Sequence, residues 1–316
     1  MKSFTSSQVG KSFKLPPTQY HQNFWVGVSN PEVLVFILHT SYFILQMMHG
    51  FIPPERFFPY LTWTDIQAMP DKENVVIIQP VGAIEQHGPH LPIIVDSAIG
   101  AAVIGKALAK LDANVPAYAL ALLYYGKSNE HWHFPGTITL SAETLLAVLT
   151  EMADSLYRAG FRKLVLMNSH GGQPQVMEIA ARDIHQKHED FLVFPLFTWR
   201  VPHIAKELFT PKELEHGIHA GDAETSVMLS ILPEQVKMER AVAEYPHGLP
   251  EDSLLSMEGK LPFAWVMREL TQSGVLGDAT VATREKGDRL LESVSDGWVQ
   301  VIQDIYKFRQ PQVWKA

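Results

Sequence analysis

From Thr62 onward, short apolar runs alternate with stretches of helical period. "VVIIQPVGA" (75–83) is continuous, β-branched and ended by Gly82, which predicts a buried strand. "DSAIGAAVIGKALAKL" (96–111) repeats apolar residues three and four apart behind Asp96 as N-cap, which predicts a helix. "VPAYALALLYY" (115–125) reads as a second strand. "SAETLLAVLTEMADSLYRAG" (141–160) reads as a helix capped by Ser141 and stopped by Gly160. "KLVLMN" (163–168) and "FLVFPLFTW" (191–199) continue as strands, and "QVMEIAARDIHQKH" (175–188) as the helix between them. "DAETSVMLSIL" (222–232) starts another helix that Pro233 ends, and a long final helix covers roughly 284–308. Such alternation predicts a mainly parallel sheet with helices on both faces. In such sheets, sites form beyond the carboxyl ends of the strands.

Polar clusters occupy those ends. "EQHGPHLPIIVD" (85–96) follows the first strand. Glu85 and His87 are two apart, so in extended chain they point the same way. Gly88 and Pro89 turn the chain, and Asp96 returns at the helix start. One segment thus delivers three metal-competent side chains. "NSHGGQ" follows the third strand and offers His170, with Gly171 and Gly172 leaving room for close approach and permitting positive φ. "HAGDAETS" (219–226) offers His219 and Glu224, the latter in a first helical turn. "GKSNEHWHFPGT" (126–137) carries Ser128, Glu130, His131, Trp132 and His133. It reads as a pocket wall, as a lid hinged at Gly126 and Gly136, or as a plain surface loop.

Each piece has a plainer reading beside it. A capping Asp and loop histidines are commonplace, and a carboxylate in a first turn simply favours the helix dipole. A glycine-rich turn before a helix can cradle phosphate, but the lysine of the phosphate-binding loop is missing here. The constellation as a whole is what points to metal.

Composition narrows the chemistry. The 316 residues are 46% hydrophobic and 19% charged, ordinary for a globular chain. A net charge of −8 argues against nucleic acid as the partner. There are no cysteines, so any metal must be held by His, Asp and Glu. A dinuclear site of that kind needs about four or five ligands, usually with a bridging carboxylate.

"VLVFILHTSYFILQMM" (33–48) is shorter than the roughly 20 apolar residues of a spanning helix, and it is interrupted by polar side chains. No small-x-small cleavage site follows it. Residues 1–47 are therefore expected to lie outside the fold, with Met48 as the first residue of a single domain, 48–316. The expected compartment is the cytoplasm, without a membrane partner.

At this point a resemblance is clear. "GAIEQHGPHLPIIVD", "EHWHFPGTITL", "NSHGGQ", "HAGDAETSVML" and "GVLGDATVATREKG" occur in the order found in the creatininase family of metal-dependent amidohydrolases, and the chain resembles that family over about residues 62–308. The resemblance implies a three-layer α/β/α sandwich, a two-metal site and a homo-oligomer, often a hexamer. It matches the family's metal-binding Glu to Glu85, its first His to His87, its bridging Asp to Asp96 and the central-turn His to His170. The family's catalytic His matches His219. Creatininases proper follow the central-turn His with Tyr-Glu, and that Glu is a ligand; here Gly171 and Gly172 stand instead. The departure weighs against creatinine itself as substrate. It brings the chain closer to branches that include a deformylase and a peptidase trimming a cofactor precursor. Glu224 is inferred to supply the missing ligand. A second departure, "GDAT" for Gly-Asp-Pro, is expected to be structural.

The expected function is hydrolysis of a non-peptide or unusual C–N amide bond in a small molecule of creatinine, formamide or lactam type. Two divalent ions (Zn, or Mn or Fe) are expected per chain. Glu85 and His170 hold one, His87 and Glu224 the other, with Asp96 between them. His219 is expected to protonate the leaving nitrogen from an adaptable loop, near its ordinary pKa of about 6.5. Ser128, Glu130 and His131 are expected to bind substrate. The rival readings are a carbocyclic, sugar-like or precursor-peptide substrate on the same site, or a non-catalytic ligand-binding relative.

Overall fold

Four parallel strands, β1 (Val76–Val81), β2 (Ala117–Ala119), β3 (Lys163–Asn168) and β4 (Leu192–Phe197), pair in the order β2-β1-β3-β4. The structure is a computed structural model that describes residues 49–248 and 253–311. The expectations for residues 1–47 and for Met48 fall outside the described residues. Five longer helices accompany the sheet: α1 (Val95–Lys110), α2 (Ala142–Arg158), α3 (Pro174–Lys187), α4 (Asp222–Ile231) and α5 (Arg284–Lys307).

The strands are apolar without alternation because both faces are covered. Val76 and Ile78 of β1, with Val165 and Met167 of β3, share a core with Ile99 and Val103 of α1, Val227 of α4 and Trp298 of α5. Ile77 and Val81, with Leu164 and Leu166, share the opposite core with Leu145 and Leu149 of α2 and Met177 and Ile184 of α3. Burial of each such side chain contributes about 1.5–3 kcal/mol, so a polar residue on either face would be costly. The result is a three-layer α/β/α sandwich. Among the described residues no helix is long and apolar enough to cross a membrane.

Most expected elements occur within a residue or two of their predicted bounds, and the exceptions have local causes. The strand predicted over 115–125 shortens to β2. Gln79 Nε2 donates to Ala121 O at 3.0 Å, so a side chain takes an acceptor that the ladder would have used. The chain then rejoins β1 through the bridge Val81–Leu123. Ser141 caps α2 by accepting from Thr144 N, and Gly160, at φ +99°, ends it. Asp96 is not the cap of α1. Ile94 takes that position, and Asp96 is the second helical residue, buried and free to serve elsewhere.

β1 passes through α1 to β2 on one side, and β2 returns through α2 to β3 on the other. The chain direction therefore diverges between β1 and β3, the place where open parallel sheets form their clefts. Gly82 closes this edge. A Cβ there would stand 2.7 Å from Ser97 Cα, so only glycine lets the first turn of α1 sit on the end of β1. That contact carries Asp96 to the cleft.

Candidate metal centre

Beyond β1 the chain stays extended, held by Glu85 N donating to Ile93 O and Ile138 N donating to Ile84 O. Glu85 and His87 project from this stretch, and Gly88, at φ +69°, turns the chain back toward α1. His170 follows β3, where Asn168 grips the turn at both ends. Its Oδ1 accepts from His170 N, and its Nδ2 donates to His170 O. Glu224 comes from the first turn of α4. Ala220, at φ +54°, bends the chain so that its N–H meets Glu224 Oε2 at 2.6 Å. Glu85, His87, Asp96 and His170 are buried, and Glu224 is partly buried.

The five donors face one another. His87 Nε2 lies 3.7 Å from Asp96 Oδ1, 3.7 Å from Glu224 Oε2 and 3.9 Å from Glu85 Oε1. His170 Nδ1 lies 3.2 Å from Glu85 Oε2 and 3.5 Å from Asp96 Oδ2. Ligands roughly 2.1 Å from one ion in tetrahedral array stand about 3.4 Å apart, so these separations suit a cation between the donors. The hydrogen bonding agrees. Glu85 Oε1, His87 Nε2 and Asp96 Oδ2 are buried without a hydrogen-bond partner. Such atoms are expensive unless something satisfies them. The far nitrogen of each imidazole is occupied: His87 Nδ1 donates to Glu85 O at 3.2 Å, and His170 Nε2 donates to Lys127 O at 3.1 Å. This leaves each inward nitrogen with its lone pair, as metal-ligating histidines are oriented.

Electrostatics point the same way. Burial pushes Glu85 up to about 7, although His170 pulls it back. Burial opposes a charge on His87, but Asp96, Glu224 and Glu85 outweigh it and lift the imidazole to about 9. His170 is raised well above its ordinary value, against burial, first by the charge of Glu85 and further by the Asp96 and Glu130 carboxylates beside its nitrogens. Burial favours the neutral form of Asp96, yet His87 and His170 hold its carboxyl well below the usual range. The field of three carboxylates thus calls for positive charge at two imidazole nitrogens, a demand that divalent cations also satisfy.

The structure also brings His219, Ser128, Glu130 and His131 to this centre. His219 stacks between His87 and His131, with ring centroids 4.2 Å away on each side. His219 was expected on an adaptable loop, but the stretch that carries it is fastened. Its backbone pairs with Leu276 in both directions, and its Nε2 donates to Gln86 O at 2.8 Å. Its pKa is not ordinary either: burial and the neighbouring imidazoles push it well below 6.5. Ser128 Oγ donates to Glu85 Oε2. His131 Nε2 lies 3.5 Å from Glu85 Oε1, and burial with the charge of His170 pushes this ring down to about 3. Burial would raise Glu130, but the imidazole of His170 beside it holds it down to about 2.

The loop 126–137 is fastened rather than hinged. Leu140 N donates to Gly126 O, and Ser128 N donates to Thr139 Oγ1. Gly126 serves close packing against Gly82 O and the Gln173 side chain, and only Gly136 has positive φ, +98°. Gly171 and Gly172, expected to permit positive φ, do not adopt it.

Three residues escaped the sequence reading. Gln86 donates through Nε2 to Gly274 O and to His131 Nδ1. Gln173 ties the ends of β1 and β3 together, donating to Gly82 O and Asn168 Oδ1. Glu213 accepts from Asp222 N, Asp278 N and Tyr245 Oη, and so anchors the start of α4. Gln86 and Gln173 lay inside quoted motifs, and their neutral amides were the only signal. Nothing marked Glu213.

The family model described as creatininase, creatinine amidohydrolase, matches residues 59–302. The chain is 31% identical over 254 residues to the creatinine amidohydrolase of Pseudomonas putida, covering 77% of this chain and 95% of that protein. It is 34% identical over 232 residues to the mycofactocin precursor peptide peptidase of Mycobacterium ulcerans (strain Agy99), covering 72% and 84%. A crystal structure of creatinine amidohydrolase (creatininase) superposes with a TM-score of 0.68 at 29% identity, covering 80% of this chain and 99% of the other. The chain belongs to the creatininase family and is a metal-dependent hydrolase.

Proposed function

We propose that this hydrolase cleaves a C–N amide bond in a small molecule, of creatinine, formamide or lactam type, with two divalent ions. Glu85 and His170 hold one ion, His87 and Glu224 the other, and Asp96 bridges them. The observation that carries this reading is how Asp96 divides its oxygens, Oδ1 toward His87 and Oδ2 toward His170. When bound, the ions lower the pKa of a water and polarise a carbonyl oxygen. Imidazole and carboxylate donors suit zinc, manganese or iron.

His219 moves the proton. Gln86 O holds its Nε2–H, so the lone pair is on Nδ1, which faces Glu85 Oε1 at 3.7 Å. A neutral ring must accept before it donates. Nδ1 takes the proton of the attacking water and then delivers it to the leaving nitrogen, so the ring acts first as base and then as acid. Ser128 donates to Glu85 Oε2, the oxygen that faces His170, and so fixes the orientation of that carboxylate. The loop that carries Ser128, Glu130 and His131 forms the wall facing substrate, with Trp132 as its exposed ring.

One observation favours a second reading, cleavage of a peptide: the relative at 34% identity is named a peptidase. A single experiment tests both. Metal content is measured on purified protein, and hydrolysis is screened over lactams, formamides and short peptides. Two equivalents of divalent metal, with chelator-sensitive cleavage of a lactam or formamide, is the expected result. Cleavage of peptides alone moves the assignment to the second reading, and a protein that binds no divalent metal overturns both.

A further inference from the structure

Gly172 lacks a side chain, and another residue fills the room. A Cβ at Gly172 would overlap Glu130 Oε1 and stand 2.5 Å from Glu130 Cδ and 2.5 Å from His170 Nε2. Gly172 has no left-handed φ to explain its identity, so space is the reason for glycine here. Glu130 reaches this space from the 3₁₀ turn Asn129–His131, on the loop that follows β2. Its Oε1 lies 2.9 Å from His170 Nε2, and its Oε2 lies 3.8 Å from Lys127 Nζ. Lys127 also offers its main-chain oxygen to the same imidazole nitrogen. One face of the His170 ring therefore meets Glu85 and Asp96 through Nδ1, and the other meets Glu130 and Lys127 through Nε2.

We infer that Glu130 is a positioning residue for the metal ligand His170, and that Gly172 is the position that admits it. Lys127 O accepts the Nε2–H, and Glu130 Oε1, 2.9 Å from the same nitrogen, holds the tautomer that leaves Nδ1 as the donor to metal and packs against the edge of the ring. A carboxylate carried by residue 172 itself could not coexist with Glu130, because both would claim the same volume. Gly172 and Glu130 thus form one unit: the glycine removes a side chain from the central turn, and a distant loop supplies the carboxylate. This assigns Glu130 to the ligand rather than to substrate. The inference rests on the proposed ligand role of His170.

The test reads metal rather than turnover. Glu130→Gln, Glu130→Ala, Gly172→Ala and the double variant Gly172→Ala/Glu130→Ala are titrated with Zn²⁺ against a chromophoric chelator. The visible spectrum of each Co²⁺-loaded protein is recorded beside them. Glu130→Gln is expected to weaken one of the two ions by about 10- to 100-fold and to shift the Co²⁺ bands, with the melting curve of the fold preserved. Gly172→Ala is expected to reproduce the loss seen in Glu130→Ala, and the double variant to lose no more than either single one. Wild-type affinity and spectrum in Glu130→Gln would overturn the inference, and so would additive losses in the double variant. Should Gly172→Ala fail to fold, Glu130→Gln alone decides. Failure of the underlying reading looks different: the wild-type protein itself would then take up no metal.

Discussion

His219 gives its Nε2–H to the main-chain oxygen of Gln86 at 2.8 Å, and this one bond decides which nitrogen faces the chemistry. The acceptor is a backbone atom next to both Glu85 and His87, so the ring is referenced to the ligand strand itself. His219→Ala is expected to keep its full metal content and to lose about two to four orders of magnitude in kcat, the usual worth of a placed acid–base group. Metal analysis beside steady-state kinetics on an identified substrate checks it. Loss of an ion with little change in rate would make His219 a ligand instead.

Glu224 and Asp96 should separate by how much metal they release. Glu224 Oε2 lies 3.7 Å from His87 Nε2, whereas Asp96 reaches both His87 and His170. Glu224→Gln is expected to lose chiefly one ion, and Asp96→Asn to lose most of both while staying folded. Equilibrium dialysis followed by elemental analysis reads the stoichiometry. Two full equivalents retained by Asp96→Asn would end the bridging assignment.

Metal uptake should depend steeply on pH. A protonated imidazole has no lone pair for a ligand bond, so each ion displaces protons. His87 is lifted to about 9 and His170 is also raised, while Glu85 sits near 7. Binding therefore releases protons throughout the neutral range, and affinity rises with pH until about 9 and falls toward acid. From pH 8 to pH 7 each ligand imidazole that is protonated in the metal-free protein weakens binding by up to about tenfold, because its proton must be displaced. Calorimetric titrations in buffers of different ionisation enthalpy count the protons directly. An affinity that is flat from pH 6 to pH 8 would contradict the charge distribution described here.

Far from the centre, Lys163 at the start of β3 is a structural cation. Its buried Nζ donates to Ile305 O at 3.0 Å and Tyr306 O at 2.6 Å, carbonyls of the last turn of α5. Lys163→Met is expected to destabilise the fold by about 1–3 kcal/mol through those two acceptors. Metal content should be unchanged. A lower urea midpoint at constant slope is the expected signature. An unchanged midpoint would show that water replaces the lysine without loss.

Much of this protein was legible in local pattern. The unbroken apolar runs of β1 and β3 announced strands covered on both faces, and Ser141 and Gly160 marked the ends of α2. Glu85, His87, Asp96, His170 and Glu224 stood out within polar clusters at the strand ends, and the resemblance to the creatininase family is what singled them out as ligands. What local pattern does not carry is distance between segments. The order β2-β1-β3-β4 puts the ends of β1 and β3 side by side, and only that adjacency aims Asp96 at two histidines at once. The clamp of Leu276 on His219, the bond from Gln86, and the seat of Glu130 over Gly172 are contacts between residues far apart in the chain. Periodicity reports which face of an element is buried. It says nothing about which other element supplies the partner, and at this centre the partners set the charge and tautomer of every histidine.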